Sequence, residues 1–222
     1  MRTDAQIQKD VIEEIKWEPA ITSSEIGVSV SNGIVTLSGQ VSTYSEKLHA
    51  EEAAKRIAGV KAIAEDIHVG VSTGYTRTDT EIAQAVLNAL KWHTDIPDYQ
   101  MSVKVEDGQV KLEGEVEWEF QRQNAKKVIE NLAGIRSVIN LIKVTPKIAP
   151  TDIQKKITAA FHRSATIDAQ KIKAEVSGSK VTLKGRVRSI SEKEDAENAA
   201  WAAPGVFSID NQLEIGEPEL VF

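Results

Sequence analysis

The sequence predicts an α+β protein: three tandem small two-layer domains, each running helix-strand-strand-helix-strand, with a three-stranded sheet and two helices on one face. Three observations carry that reading. Gly39, Gly114 and Gly185 anchor three copies of one unit, and twenty residues after them stand Gly59, Gly134 and Gly205 respectively. Ile7, Ile82 and Ile153 each lie 32 residues ahead of the first glycine of their copy. The copies are offset by 75 and 71 residues, longer than solenoid repeats, so each is a small domain with its own core. Only the segment ahead of the third copy is shortened. The expected domains are 1–70, 76–146 and 150–217.

Each element follows from the residues. Ile7, Val11 and Ile15 match Ile82, Val86 and Leu90, and then Ile153, Ile157 and Phe161, a four-residue apolar spacing that marks one face of a first helix. Thr3-Asp4, Thr78-Asp79 and Thr151-Asp152 stand ahead of these runs as N-caps. Trp17 and Trp92 share one position at the helix end and are expected to cap each core. A first strand alternates at Ile26, Val28 and Val30, at Met101, Val103 and Val105, and at Ile172, Ala174 and Val176. Asn32-Gly33 and Asp107-Gly108 are hairpin turns, with the weaker Ser177-Gly178-Ser179 in copy three. The returning strand alternates at Val35, Leu37 and Val41 and at their equivalents, and its glycine (Gly39, Gly114 or Gly185) falls inward, where backbone or a helix can approach closely.

A second helix runs through Ala50, Ala53, Ala54 and Ile57, matched by Ala125, Val128, Ile129 and Leu132, and ends at Gly59, Gly134 or Gly205, where glycine suits a left-handed cap. Ile67 and Val69, Ile142 and Val144, and Leu213 and Ile215 mark a last strand. Gly70-Val71-Ser72-Thr73-Gly74 reads as a flexible connection, and Thr145-Pro146-Lys147-Ile148-Ala149-Pro150 as a stiffer one.

Composition narrows the function classes. The 222 residues carry 27 Lys+Arg against 33 Asp+Glu, a net charge of −6 that argues against generic nucleic-acid binding. Without cysteine there are no disulfides, thiolate nucleophiles or Cys-based metal sites. No apolar run approaches the roughly 18 residues of a membrane span. The start at Met1 lacks the order of a signal peptide, so the chain as written is expected in the cytoplasm, or in the periplasm if a leader was removed. His49, His68, His93 and His162 occupy non-equivalent repeat positions without metal-ligand spacing. No phosphate-cradling glycine loop occurs, and carboxylate pairs such as Glu13-Glu14 lie beside Lys and Arg on helices. The expectation is a protein that is not an enzyme and holds no metal or cofactor.

If shared positions build the fold, function is sought where the copies differ. Outward strand positions of copy three read Lys171, Lys173, Lys180, Lys184, Arg186 and Arg188, and residues 151–190 hold nine basic against three acidic side chains. Two readings stand: a charged face that prevents edge pairing, or a site for an anionic membrane surface. Copy two has Glu113, Glu115 and Glu117 where copy three has Lys184, Arg186 and Arg188, so the two faces either meet by complementary charge, within a chain or between chains, or have drifted independently. Trp118 and Phe120 occur only in copy two and either enter a lipid interface or partner groove or cover a seam between domains. Trp201, unique to copy three, is expected under the apolar tail Leu220-Val221-Phe222.

The order of elements, the strand glycines in Ser38-Gly39, Glu113-Gly114 and Lys184-Gly185, the Ala-rich second helix and the closing Gly59-Val60, Gly134-Ile135 and Gly205-Val206 resemble the BON domain, the bacterial OsmY and nodulation module. Asn140 and Asn211 match an asparagine often found before the family's last strand, where copy one has Glu65. The resemblance covers nearly the whole chain as three tandem copies. It implies a non-enzymatic module of osmotic and envelope stress that binds phospholipid or membrane surfaces or envelope proteins. The second reading is a protein-interaction or chaperone-like scaffold that uses the complementary charged faces and exposed strand edges for partners, which include a second copy of the chain in a homo-oligomer.

Overall fold

A computed structural model describes residues 2–21, 26–70, 77–97, 101–146 and 152–216. The first unit comprises α1 (Asp4–Trp17), β1 (Gly27–Ser31), β2 (Ile34–Val41), α2 (Tyr44–Arg56) and β3 (Ala62–Val69). The second comprises α3 (Asp79–Trp92), β4 (Met101–Glu106), β5 (Gln109–Val116), α4 (Glu119–Glu130) and β6 (Ser137–Val144). The third comprises α5 (Ile153–Arg163), β7 (Ile172–Ser177), β8 (Lys180–Val187), α6 (Ile190–Trp201) and β9 (Ser208–Ile215). Each forms a three-stranded sheet with its second strand in the middle, antiparallel to the first and parallel to the third. The second helix is therefore the crossover that parallel pairing requires. The predicted α+β architecture of three repeated units is the one found.

The predicted helical stripes are the buried residues of α1, α3 and α5. Thr3 and Thr78 cap their helices through capping boxes with Gln6 and Glu81. The Asp that follows each cap does more than favour the helix dipole. Asp4 accepts from the Asn32 and Gly33 N–H groups at 2.7 and 2.9 Å, and Asp79 from Asp107 and Gly108 at 2.9 Å each, tying helix start to hairpin turn. Copy three departs from this. Thr151 lies outside the described residues, and Asp152 makes no side-chain cap because its backbone is left-handed (φ 52) rather than extended as a capping residue needs.

The strand glycines are inward by alternation, yet Gly39 and Gly185 are exposed. Their role is conformational: φ is 127, 150 and 134 at Gly39, Gly114 and Gly185, a region closed to side chains. At Gly185 the Lys171 carbonyl accepts from the Arg186 N–H at 3.3 Å, and a Cβ would collide with that carbonyl. The expected close approach exists, made by the start of the first strand. The closing glycines are left-handed as expected, but lie three or four residues beyond the helix ends, in the turn before the last strand.

The three units have separate aliphatic cores, and the second helices join them. Tyr44, the first residue of α2, is buried in the core of the second unit, with its hydroxyl hydrogen-bonded to the backbone of Val138 in β6. Ile190, its repeat counterpart on α6, packs on the core of the first unit. Loops agree with helices: the Gly59 N–H donates to the Arg188 carbonyl at 3.4 Å, and their counterparts Gly134 and Ser42 line one cleft between the first and second units. Lys55 of α2 bonds Glu194 of α6, and Gln123 of α4 bonds Asn198 of α6 at 2.6 Å. Unit one thus inserts into two and three into one through the same repeat position, and two meets three through Gln123, Asn198 and Trp201. The three units therefore meet pairwise in a closed ring, with two of its seams built from equivalent positions.

Tyr44→Ala is expected to cost about 3 kcal/mol of stability, because a buried ring leaves a cavity in a neighbouring core. Tyr44→Phe, which removes only the hydroxyl bond, is expected to cost about 1 kcal/mol. Urea unfolding measures both.

Candidate functional site

The basic residues of copy three divide by location. Lys173, Lys180, Lys184 and Arg186 lie exposed on β7 and β8, Lys171 just ahead of β7 and Arg188 just beyond β8. The register of β9 sets Glu214 beside Arg186 and Asp210 beside Thr182. Lys184 pairs with Glu175 at 2.6 Å, Lys180 with Asp210 at 3.5 Å and Lys171 with Asp168 at 3.2 Å. Arg188 serves the fold: its guanidinium bonds Glu192 at 3.0 Å and its carbonyl meets the first unit. Burial works against ionisation of Glu192, but N–H groups of Arg188 and Asp168 and the Arg188 side chain together hold its carboxyl below the usual range. The last strand and the loops thus return acidic side chains to a segment that is basic when read alone.

The opposing acidic set is diluted in the same way. Glu113 pairs with Lys111, and Glu115 lies beside Lys143 in the register of β6. Glu117 sits beyond β5, in the turn into α4. Each set finds its recorded ion partners on its own unit. Between Lys111 and Lys143, β6 exposes Ile139 and Leu141 on this outer face.

Aromatic placement differs from expectation. Trp17 and Trp92 are each 85% exposed, not core caps. The reason was in the sequence: each stands two residues after the last buried position of its stripe, Ile15 or Leu90, about 200° round a helix of 3.6 residues per turn. Lys16 and Lys91 precede them, and the third unit has His162-Arg163 at the same place. Phe120 is 51% exposed and Trp118 partly buried at the N-cap of α4. Trp201 packs against the cores of both second and third units, with the Arg122 guanidinium 5.8 Å from its ring centre; Leu220-Val221-Phe222 lie outside the described residues.

The second helices enclose a polar cleft of about 560 Å³. Lys55 bridges Glu51 and Glu194 at 2.8 Å each; burial lowers its proton affinity, but these two bonds raise it further. Beside it, copy one replaces the family asparagine by Glu65. In copy three Asn211 donates to Glu197 at 2.8 Å and to the Lys193 carbonyl, while the Leu213 N–H donates back to it. Asn140 likewise bonds the Arg122 carbonyl and the Ile142 N–H. Glu65 faces Glu51, the counterpart of Glu197, and burial together with the Glu51 charge pushes its carboxyl above the usual range despite Lys47 at 3.1 Å. Protonated, Glu65 donates to Glu51 as Asn211 does to Glu197. Among the described residues no group of His, Asp and Glu is placed to hold a metal ion.

Three crossover-helix modules closed into a ring define a tandem α+β repeat protein. The model of the BON domain matches residues 3–71, 78–146 and 150–217, and the chain belongs to the BON domain family. Among curated proteins it is 30% identical over 128 residues to the osmotically-inducible protein Y of Escherichia coli strain K12, covering 55% of this chain and 63% of the relative. It is also 30% identical over 121 residues to a 21 kDa hemolysin of Actinobacillus pleuropneumoniae, covering 54% and 62%. The matches thus span less than two thirds of either relative. Of solved structures, CdsD, a structural protein of the type III secretion system of Chlamydia trachomatis, aligns over 95% of this chain and 92% of its own at 14% identity, with a TM-score of 0.27.

Because the folded state holds the Glu65 proton more tightly than the unfolded one, this group costs stability as pH rises from the usual carboxylate value of 4.5 through its raised value. Glu65→Asn, which restores the donor of the other copies, is expected to gain about 1 kcal/mol at pH 7. The gain should shrink on acidification, when Glu65 becomes a donor itself; thermal unfolding of both forms across pH 4 to 8 checks the sign.

Proposed function

We propose that the chain is a non-enzymatic binding protein of osmotic or envelope stress that docks reversibly on anionic phospholipid surfaces. The observation that carries this reading is the pair Trp17 and Trp92, each 85% exposed at the end of a first helix and next to a lysine. Indole rings favour the membrane–water interface, where an apolar body and a polar N–H are both accommodated. In a closed ring, equivalent positions lie on one side, so Trp17, Trp92 and Arg163 form three points that can meet a flat surface together. A lysine or arginine near anionic lipid contributes about 1 kcal/mol, and joint engagement multiplies single affinities that are weak alone. Lys173, Lys180, Lys184 and Arg186, with their acidic neighbours, and the exposed Phe120 with Trp118 are secondary contacts in this reading. The relative named as osmotically inducible supports the stress setting. No helix among the described residues is long and apolar enough to cross a membrane, which fits surface contact.

A second reading, a scaffold for protein partners or for copies of this chain, rests on Ile139 and Leu141, 38% and 48% exposed on the outer edge strand β6. Edge strands offer unpaired backbone groups to an added strand.

Co-sedimentation with vesicles of phosphatidylglycerol and phosphatidylethanolamine separates the readings. Binding is expected for the parent protein and a loss of about tenfold or more for the double variant Trp17→Ala, Trp92→Ala, with a smaller loss for Lys184→Glu, Arg186→Glu. Equal binding by parent and tryptophan variant would remove the helix tips from the site.

A further inference from the structure

The seam between the second and third units differs from the other two. Tyr44 and Ile190 bring apolar surface to theirs; the same position on α4 is Glu119, 5% exposed. Its Oε1 accepts from Arg122 Nε and Nη2 at 3.0 and 2.7 Å and from Gln123 Nε2 at 3.3 Å, all on its own helix. Gln123 Nε2 also donates across the seam to Asn198 of α6 at 2.6 Å, so the carboxyl stands one hydrogen bond behind the contact that joins the units. Its Oε2 is buried without a hydrogen-bond partner, and so is the Nε1 of Trp201, the α6 residue that packs on both cores. Buried polar atoms are rarely left unpaired, and a charged carboxylate in that position costs far more than a neutral one. The facing helix does not offset the charge: Glu197 of α6 carries the same sign, and the cation beside Glu119 is Arg122. Other charges in the cleft between the second helices are matched among themselves, Lys55 between Glu51 and Glu194, and Lys126 with Glu130 at 3.3 Å. Glu52 and Lys127 complete its charged lining.

We propose that this seam is a proton-operated latch, closed while Glu119 is neutral and loosened when Glu119 is charged, so that the ring opens between the second and third units while the Tyr44 and Ile190 seams hold. Opening brings water to Glu119 Oε2 and Trp201 Nε1, the two atoms that the closed seam leaves unpaired. Burial raises the Glu119 pKa against the pull of Arg122, which agrees with this direction. Closure is then fully favoured below the usual carboxylate value of 4.5 and is lost as pH rises through the raised value. One proton limits the steepness to about tenfold in the opening equilibrium per pH unit. The other seams do not share the response: Ile190 has no proton to lose, and burial raises the pKa of Tyr44 from an already high 10.0. An open latch leaves three units joined at two seams and uncovers the Trp201 ring. The inference is independent of the lipid reading, since it concerns the second helices and not the exposed tips of the first.

The test is hydrogen exchange of the Trp201 indole N–H, followed by NMR from about pH 5 to pH 8 on the full chain carrying Glu65→Asn, which removes another carboxyl that burial raises. The Trp17 and Trp92 indoles, both 85% exposed, give the unprotected rate at each pH. Trp201 exchange relative to theirs is expected to rise about tenfold across this range, the effect of one proton held more tightly by about one pH unit. Over the same range the backbone amides of Val35 and Leu37, buried in the first unit, should keep their protection, which separates opening of one seam from unfolding of the chain. Glu119→Gln keeps the shape without the charge, and Glu119→Leu gives this seam the apolar side chain of the others; each should leave the relative Trp201 rate flat with pH. A parent whose relative Trp201 rate does not change, a rise that persists in either variant, or Val35 and Leu37 amides that lose protection in step with Trp201 would each overturn the proposal.

Discussion

The arrangement depends on one kind of contact: the first residue of a second helix packed against the core of another unit, as in two of the three seams. Each unit is a sheet of three strands covered on one face by two helices, and its own core is aliphatic and small. Small domains bury a limited fraction of their surface and gain little stability alone. Placing Tyr44 in the core of the second unit and Ile190 on that of the first adds shared apolar surface. It also fixes the angle between units, since head-to-tail contacts that close in three steps leave no freedom for a fourth. The cleft where the second helices converge follows from that arrangement.

Closure also explains why the repeats diverge where they do. Positions that build a single unit are held alike, as in the capping glutamates Glu46 and Glu192 and their counterpart Gln121. Positions that face another unit differ because each seam has a different partner. Tyr44, Glu119 and Ile190 are one position in three seams, apolar in two and ionisable in the third. Lys55, Glu130 and Trp201 are likewise one position, and each meets different chemistry in the cleft.

Much of the fold was legible because it is written by periodicity. The four-residue stripe from Ile7 to Ile15, the turn at Asn32-Gly33 and the alternation through Val35 and Leu37 are local patterns repeated three times. What was not legible required contacts distant in sequence. The basic face of copy three looked stronger than it is because Asp210 and Glu214 arrive on a strand more than twenty residues away. The cap at Asp152 failed because its backbone is left-handed. Trp17 and Trp92 are the instructive case: their exposure follows from the angle to Ile15 and Leu90, and only the habit of burying tryptophan hid it. Tyr44 gave no local sign, since the core it enters belongs to the second unit.

The central claim is that the ends of α1 and α3 enter an anionic lipid interface together. The most direct measurement is fluorescence quenching by bromine at known depths along the lipid chains, in vesicles containing phosphatidylglycerol, on a protein that keeps Trp17 and Trp92 but carries Trp118→Phe and Trp201→Phe. The account predicts that both indoles are quenched, to similar extents, by bromine near the headgroups and less by bromine near the bilayer centre. Vesicle-bound protein whose Trp17 and Trp92 emission is untouched at every depth would contradict it.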